Sequence, residues 1–128
     1  MSKLKTVMRL RRLLISFRDA SRGLKAVLKS EQNFRIQVFV GVIALFLALV
    51  LPLKTWEVVL LILLIMFVLV MELLNTAFEY VSDLIKPRLN HYVYMLKDIM
   101  AAAVLLTSLG ALIIGLIIFI PHFINLAR

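Results

Sequence analysis

Three uncharged apolar runs decide what this chain can fold into. Ile36 to Leu53 ("IQVFVGVIALFLALVLPL"), Val58 to Met71 ("VVLLILLIMFVLVM") and Ile99 to Pro121 ("IMAAAVLLTSLGALIIGLIIFIP") hold no Asp, Glu, Lys or Arg. A helix rises about 1.5 Å per residue, so about 20 apolar residues cross a bilayer core. The first and third runs qualify directly. The second qualifies only if its helix continues past Glu72. A hydrophobic fraction of 63% and a mean hydropathy of +1.04 agree with a membrane protein, since soluble domains sit near half apolar.

These runs predict an all-α integral membrane fold: one domain over 1–128, with a surface helix at 4–30 and spans at 34–53, 56–85 and 97–120. Pro52 stops the first span, and "PLKTWE" makes a short turn. Spans one and two are therefore antiparallel neighbours. Pro87 is expected to stop the second. The absence of cysteine removes disulfides and thiolate catalysis. No cleavable signal peptide is expected, because the chain before residue 35 is charged and lacks a central apolar block.

The net charge of +8 is unevenly placed. Lys3, Lys5, Arg9, Arg11, Arg12, Arg18, Arg22, Lys25, Lys29 and Arg35 precede the first span, and Lys86, Arg88 and Lys97 follow the second. The other turn has Lys54 and the C-terminus Arg128. This bias puts the N-terminus and the 84–97 loop in the cytoplasm and the C-terminus outside. Trp56, Tyr92 and Tyr94 fall where interfacial aromatics sit. Nucleic-acid binding is not expected, since nothing beyond the basic residues supports it. Over 4–29, apolar residues such as Leu10, Leu13, Phe17, Leu24 and Leu28 recur at three- and four-residue steps among cations. That pattern predicts a helix on the membrane surface, drawn to anionic headgroups.

The segment "VMELLNTAFEYVSDLIKPRLN" then places acids in the second span. At about 100° per residue, Glu72, Asn75, Glu79 and Asp83 fall at about 0°, 300°, 340° and 20°. Charges in hydrocarbon cost at least a few kcal/mol each, so this stripe has to face protein or water. Like charges on one face also call for a cation, and hard oxygen ligands suit Mg²⁺, which travels with phosphates. Glu72 lies two to three turns deeper than Asp83. Glu31 and Arg35 stand at i,i+4 before the first span, and Lys97 and Asp98 open the third. Each pair has an ordinary explanation, as a helix ion pair or a snorkelling anchor. Together they put carboxylates, cations and an amide at one membrane level, which is what an ATP–metal site needs.

"ELLNTAFEYVSD" followed by "KDIMAAAVLL" resembles the prokaryotic diacylglycerol kinase / undecaprenol kinase family, and "RGLKAV…SEQNFR" is similar to its N-terminal region. The resemblance implies small three-span enzymes of the bacterial inner membrane, forming homotrimers with sites shared between subunits. They move the γ-phosphate of MgATP to a lipid hydroxyl. It makes Glu72 the general base with Asn75 beside it, and Glu31 and Glu79 ligands of the ATP-bound metal. Arg12, Glu31, Glu79, Asp83, Lys97 and Asp98 would bind nucleotide. Phe34, Arg35, Glu72 and Ala101 would line the lipid. The chain departs from the family pattern at Asp19, at Leu89-Asn90 and at Ala101, where relatives often carry Tyr, Tyr-His and Ser. The ending "ALIIGLIIFIPHF" looks more like undecaprenol kinases, so undecaprenol is the expected acceptor over diacylglycerol. The small residues of span three (Ala102, Ala103, Ser108, Gly110, Ala111, Gly115), and more weakly Gly41, Ala44 and Ala48 of span one, suit close helix packing.

A different class of function fits the same stripe: a non-enzymatic oligomer with a carboxylate-lined ion path. Such a path needs polar groups at every depth, and the far halves of the spans are expected to be bare of them.

Overall fold

The computed structural model describes residues 1–85 and 90–128. It contains α1 (Ser2–Ser30), α2 (Gln32–Val50), α3 (Thr55–Ile85) and α4 (Asn90–Ala127), and no strand among the described residues. The chain divides into two compact units, Met1–Gln32 and Asn33–Arg128. Lys86, Pro87, Arg88 and Leu89, and with them the expected stop at Pro87, lie outside the described residues.

The first unit is α1. Its end is set by Glu31, whose backbone is extended (φ −107°, ψ 111°) while its N–H still donates to the Val27 carbonyl at 2.8 Å. Asp19 pairs with Arg22 at 3.1 Å and Arg18 at 3.8 Å. These pairs are exposed, so they add little stability.

The second unit is a membrane protein's three-helix arrangement: α2, α3 and α4 are each long and apolar enough to span. α2 stops where Pro52 removes a donor. Leu51 N–H still reaches the Leu47 carbonyl at 2.9 Å, and Leu53 N–H turns back to Leu51 at 2.8 Å. α3 then starts with half of a capping box, as Glu57 Oε2 accepts from Lys54 N–H at 2.9 Å. α3 runs unbroken from Thr55 to Ile85, so the second apolar run gains its missing length from the acidic segment. α4 is longer than the sequence suggests. It begins at Asn90 and continues through Pro121 to Ala127, as proline is tolerated within membrane-spanning helices, where neighbouring helices and local adjustments re-satisfy the freed backbone group.

The faces turned inward follow the 3–4 rhythm of a helix. On α3 they are Leu61, Leu64, Ile65, Val68, Leu69, Glu72, Asn75, Thr76, Glu79 and Ser82, all at least half-buried. The carboxylate stripe is thus the continuation of an apolar stripe. A Cβ placed on Gly41 of α2 would lie 3.0 Å from Ile65 Cγ2, so α2 and α3 meet closely there. The close approach is at the glycine of the first span. A Cβ on Gly110 or Gly115 of α4 would meet nothing within 4 Å. Between the three helices lies an apolar cavity of about 350 Å³, bordered by Gly41, Leu61, Ile65, Ala111 and Gly115 among others.

The end of the unit away from the acidic segment is not bare, contrary to expectation. His122 of α4 and Glu57 of α3 share a hydrogen bond of 3.0 Å, with side chains 15% and 12% exposed. This pair fastens α3 to α4 just beyond Pro121.

Candidate functional site

The acidic end of α3 is built in layers along one face. Glu72 is 2% exposed, so it points into protein rather than lipid. Its Oε2 accepts from Gln37 Nε2 of α2 at 3.2 Å, and Thr76 Oγ1 donates to its backbone carbonyl at 3.0 Å. Gln37 holds the carboxylate from the neighbouring helix. One turn on, Asn75 Nδ2 donates to Glu79 Oε1 at 3.4 Å, which orients the half-buried Glu79. Beyond that, Lys97 Nζ of α4 meets Asp83 Oδ1 at 3.2 Å, so an α4 cation and an α3 acid close the stripe.

Two buried polar atoms have no partner among the described residues: Gln37 Oε1 and Ser82 Oγ. Buried polar groups are nearly always satisfied. Gln37 faces Glu72 from α2, and Ser82 lies on the inward face of α3 that carries Glu72 and Glu79.

Of the expected site, the structure pairs Asn75 with Glu79 and Asp83 with Lys97, and sets Glu72 deeper on the same face of α3, bonded to Gln37. Asp83 differs from its three companions in being largely exposed, with 64% of its side chain open. Asp98 and Ala101 are also exposed, on the outward side of α4, and Phe34 is buried at 3%. Arg35 is exposed on α2. Arg12, exposed, and Glu31, half-buried, belong to the first unit. Sequence reading missed Gln37, Thr76 and Ser82. Gln37 carried a signal, as a lone amide in an apolar run. Thr76 and Ser82 sit four and ten residues past Glu72 on its helical face, but small hydroxyls are common in spans and do not stand out.

Among the described residues no three acidic or histidine groups converge to form a metal cage. Mg²⁺ does not require one, because it is held by one or two carboxylates, waters and substrate phosphates. Glu79, half-buried and oriented by Asn75, is a donor of that kind. The donor set fits Mg²⁺ arriving with a nucleotide.

Known proteins are similar to this chain over most of its length. A diacylglycerol kinase of Synechocystis is 38% identical over 115 residues, which cover 89% of this chain and 66% of the relative, just under two thirds of its length. An undecaprenol kinase of Bacillus subtilis is 34% identical over 112 residues, covering 88% of this chain and 91% of the relative. The model of the prokaryotic diacylglycerol kinases matches residues 18–119, a range that takes in the acids of α3 and the Lys97-Asp98 pair. On this match the chain belongs to the prokaryotic diacylglycerol kinase family.

Proposed function

We propose that the chain transfers the γ-phosphoryl group of MgATP to the hydroxyl of a membrane lipid, with undecaprenol preferred to diacylglycerol. The observation that carries this reading is Glu72: a carboxylate buried inside a membrane-spanning helix, held by Gln37 at 3.2 Å. Such a group marks a functional site by default, and here it heads the stripe that continues to Glu79 and Asp83.

The lipid hydroxyl attacks the γ-phosphorus in line. Its O–H proton passes to Glu72, the new O–P bond forms, and the bond to the β-phosphate oxygen breaks to release ADP. Phosphoryl transfer of this kind asks for positioning and charge neutralisation rather than covalent work by the protein. Glu72 is the deepest acid, so it meets the lipid side of the phosphate. Gln37 sets the direction of its carboxylate. Lys97 supplies positive charge beside the phosphates, with Asp83 holding its ammonium. Arg12 and Asp98 approach the nucleotide, and Phe34, Arg35 and Ala101 border the lipid. Glu79, with Glu31, would hold Mg²⁺, which offsets triphosphate charge when bound.

Arginines and lysines before the first span support a cytoplasmic N-terminus and outward C-terminus. The small residues of α4, among them Gly110, where a Cβ would meet nothing within 4 Å, support a homotrimer in which a neighbour packs on α4 and completes the site. The undecaprenol preference is supported by the C-terminal pattern and by alignment over 91% of the Bacillus enzyme's length.

The test is transfer from labelled ATP in detergent micelles, with the two lipids in competition. Wild type is expected to phosphorylate undecaprenol first, and Glu72→Gln to lose transfer about 10²- to 10⁴-fold, the contribution of a general base. Equal activity of wild type and Glu72→Gln would remove the proposal.

A further inference from the structure

The bond between His122 and Glu57, at the end remote from the acids, takes no part in the proposed transfer. Its geometry fixes where the protons are. Glu57 Oε2 accepts from Lys54 N–H at 2.9 Å, and His122 Nε2 lies 3.0 Å from the same oxygen. An oxygen so placed is an acceptor, so Nε2 carries the hydrogen and donates it. The other ring nitrogen, Nδ1, is in no hydrogen bond among the described residues. The imidazole therefore has room for a second proton at Nδ1 with the bond to Glu57 intact.

The surroundings favour that proton. In the second unit Glu57 is the one acid at this end, since Glu72, Glu79, Asp83 and Asp98 belong to the other. Lys54, in the turn before α3, opposes the proton, but its side chain is exposed and its charge screened. α2 ends at Val50 with no titratable group near, and Arg128 lies past the end of α4 at Ala127. Little water separates the half-buried partners, so a charge on the ring acts on the carboxylate at short range. Protonation turns a bond from a neutral ring into an ion pair with both partners charged, the stronger form.

The pair also has a defined place. Leu61 lies one turn from Glu57 toward the acids, Phe119 lies one turn from His122, and both border the apolar cavity between the helices. The bond thus joins α3 to α4 just beyond the far end of that cavity. We propose that Glu57 and His122 form a proton-tightened clasp: acidification of this face makes His122 an imidazolium and strengthens the tie between α3 and α4. On the orientation proposed above, this face is external. The two helices that carry Glu72 and Lys97 are then held according to the pH across the membrane from the nucleotide. Imidazole changes charge between about pH 5 and 8. The clasp stabilises the protein most below that range and less as the pH rises through it.

The test uses the full-length protein in detergent, where both ends meet one buffer and orientation plays no part. His91 is the other histidine of the chain, and His91→Gln leaves His122 as the single source of histidine ring-nitrogen NMR signals. At about pH 8.5 the ring is expected to be the Nε2–H tautomer, and Nδ1 to gain the second proton on titration to about pH 5.5. Thermal midpoints of wild type, His122→Gln, Glu57→Gln and the double variant are then followed over the same range. Glutamine at 122 still donates a hydrogen bond but takes no charge. The gap between wild type and His122→Gln is expected to widen as the pH falls, because the other titrating groups are common to both proteins. The coupling between the two positions is expected to be larger at the acidic end. A gap that stays constant or narrows on acidification would overturn the proposal. So would an Nδ1–H tautomer at high pH, a result that needs no variant at position 122 to fold.

Discussion

At Glu72, the bond from Gln37 is what turns an acid inside a span into an oriented one. A hydrogen bond to a carboxylate contributes roughly 1.5–3 kcal/mol, so Gln37→Leu is expected to lower transfer roughly tenfold to a hundredfold without loss of folded protein. The check is kcat, measured beside the protein's elution volume in detergent. A wild-type rate in Gln37→Leu would show that Glu72 needs no such support. The acids of this stripe were legible from spacing alone, because Glu72, Asn75 and Glu79 recur at three and four residues and an unsheltered charge there is too expensive. The same spacing included Asp83, which the structure leaves exposed and pairs with Lys97 at 3.2 Å. Helical angle places a residue on a face but says nothing of where the neighbouring helix stops covering it. Gln37 was invisible as a partner for a related reason: its contact with Glu72 is 35 residues away in sequence, and no local pattern encodes that distance.

Among the helices, Gly41 sets how closely α2 approaches α3. A side chain there meets Ile65 at 3.0 Å from its first carbon, and overpacking of this kind costs about 1–3 kcal/mol. Gly41→Val is therefore expected to lower the thermal midpoint in detergent. Gly23→Ala, on α1 where a Cβ meets nothing within 4 Å, is expected to leave it unchanged or raise it by up to about 1 kcal/mol of helix propensity. Likewise His122→Leu removes the bond that joins α4 to Glu57 and leaves that carboxylate only the Lys54 N–H, and a lower midpoint is expected in the same melting curve. The spans themselves were legible because apolar length is a one-dimensional signal. Their ends were less so. α4 passes Pro121 to Ala127, since a proline's effect in a membrane-spanning helix depends on what surrounds the freed carbonyl. Small residues were read as packing sites on span three, yet within one chain the close contact is at Gly41, because smallness permits approach without choosing which helix approaches.

For the whole molecule, an assembly with shared sites makes a mixing prediction. Glu31→Gln and Glu72→Gln are each expected to be inactive alone, and co-assembled oligomers of the two to recover part of the activity. If every site takes both residues from one chain, the mixture stays as inactive as its parents. The membrane architecture was open to sequence reading because hydropathy needs no partner, whereas subunit number depends on surfaces that no single chain completes. The bond between His122 and Glu57 bears on how such an assembly moves. It ties α3 to α4 at the extremity remote from the acids, as the Lys97–Asp83 pair does beside them. The two rods are pinned at both ends, and the pin nearer the acids is the one more open to solvent.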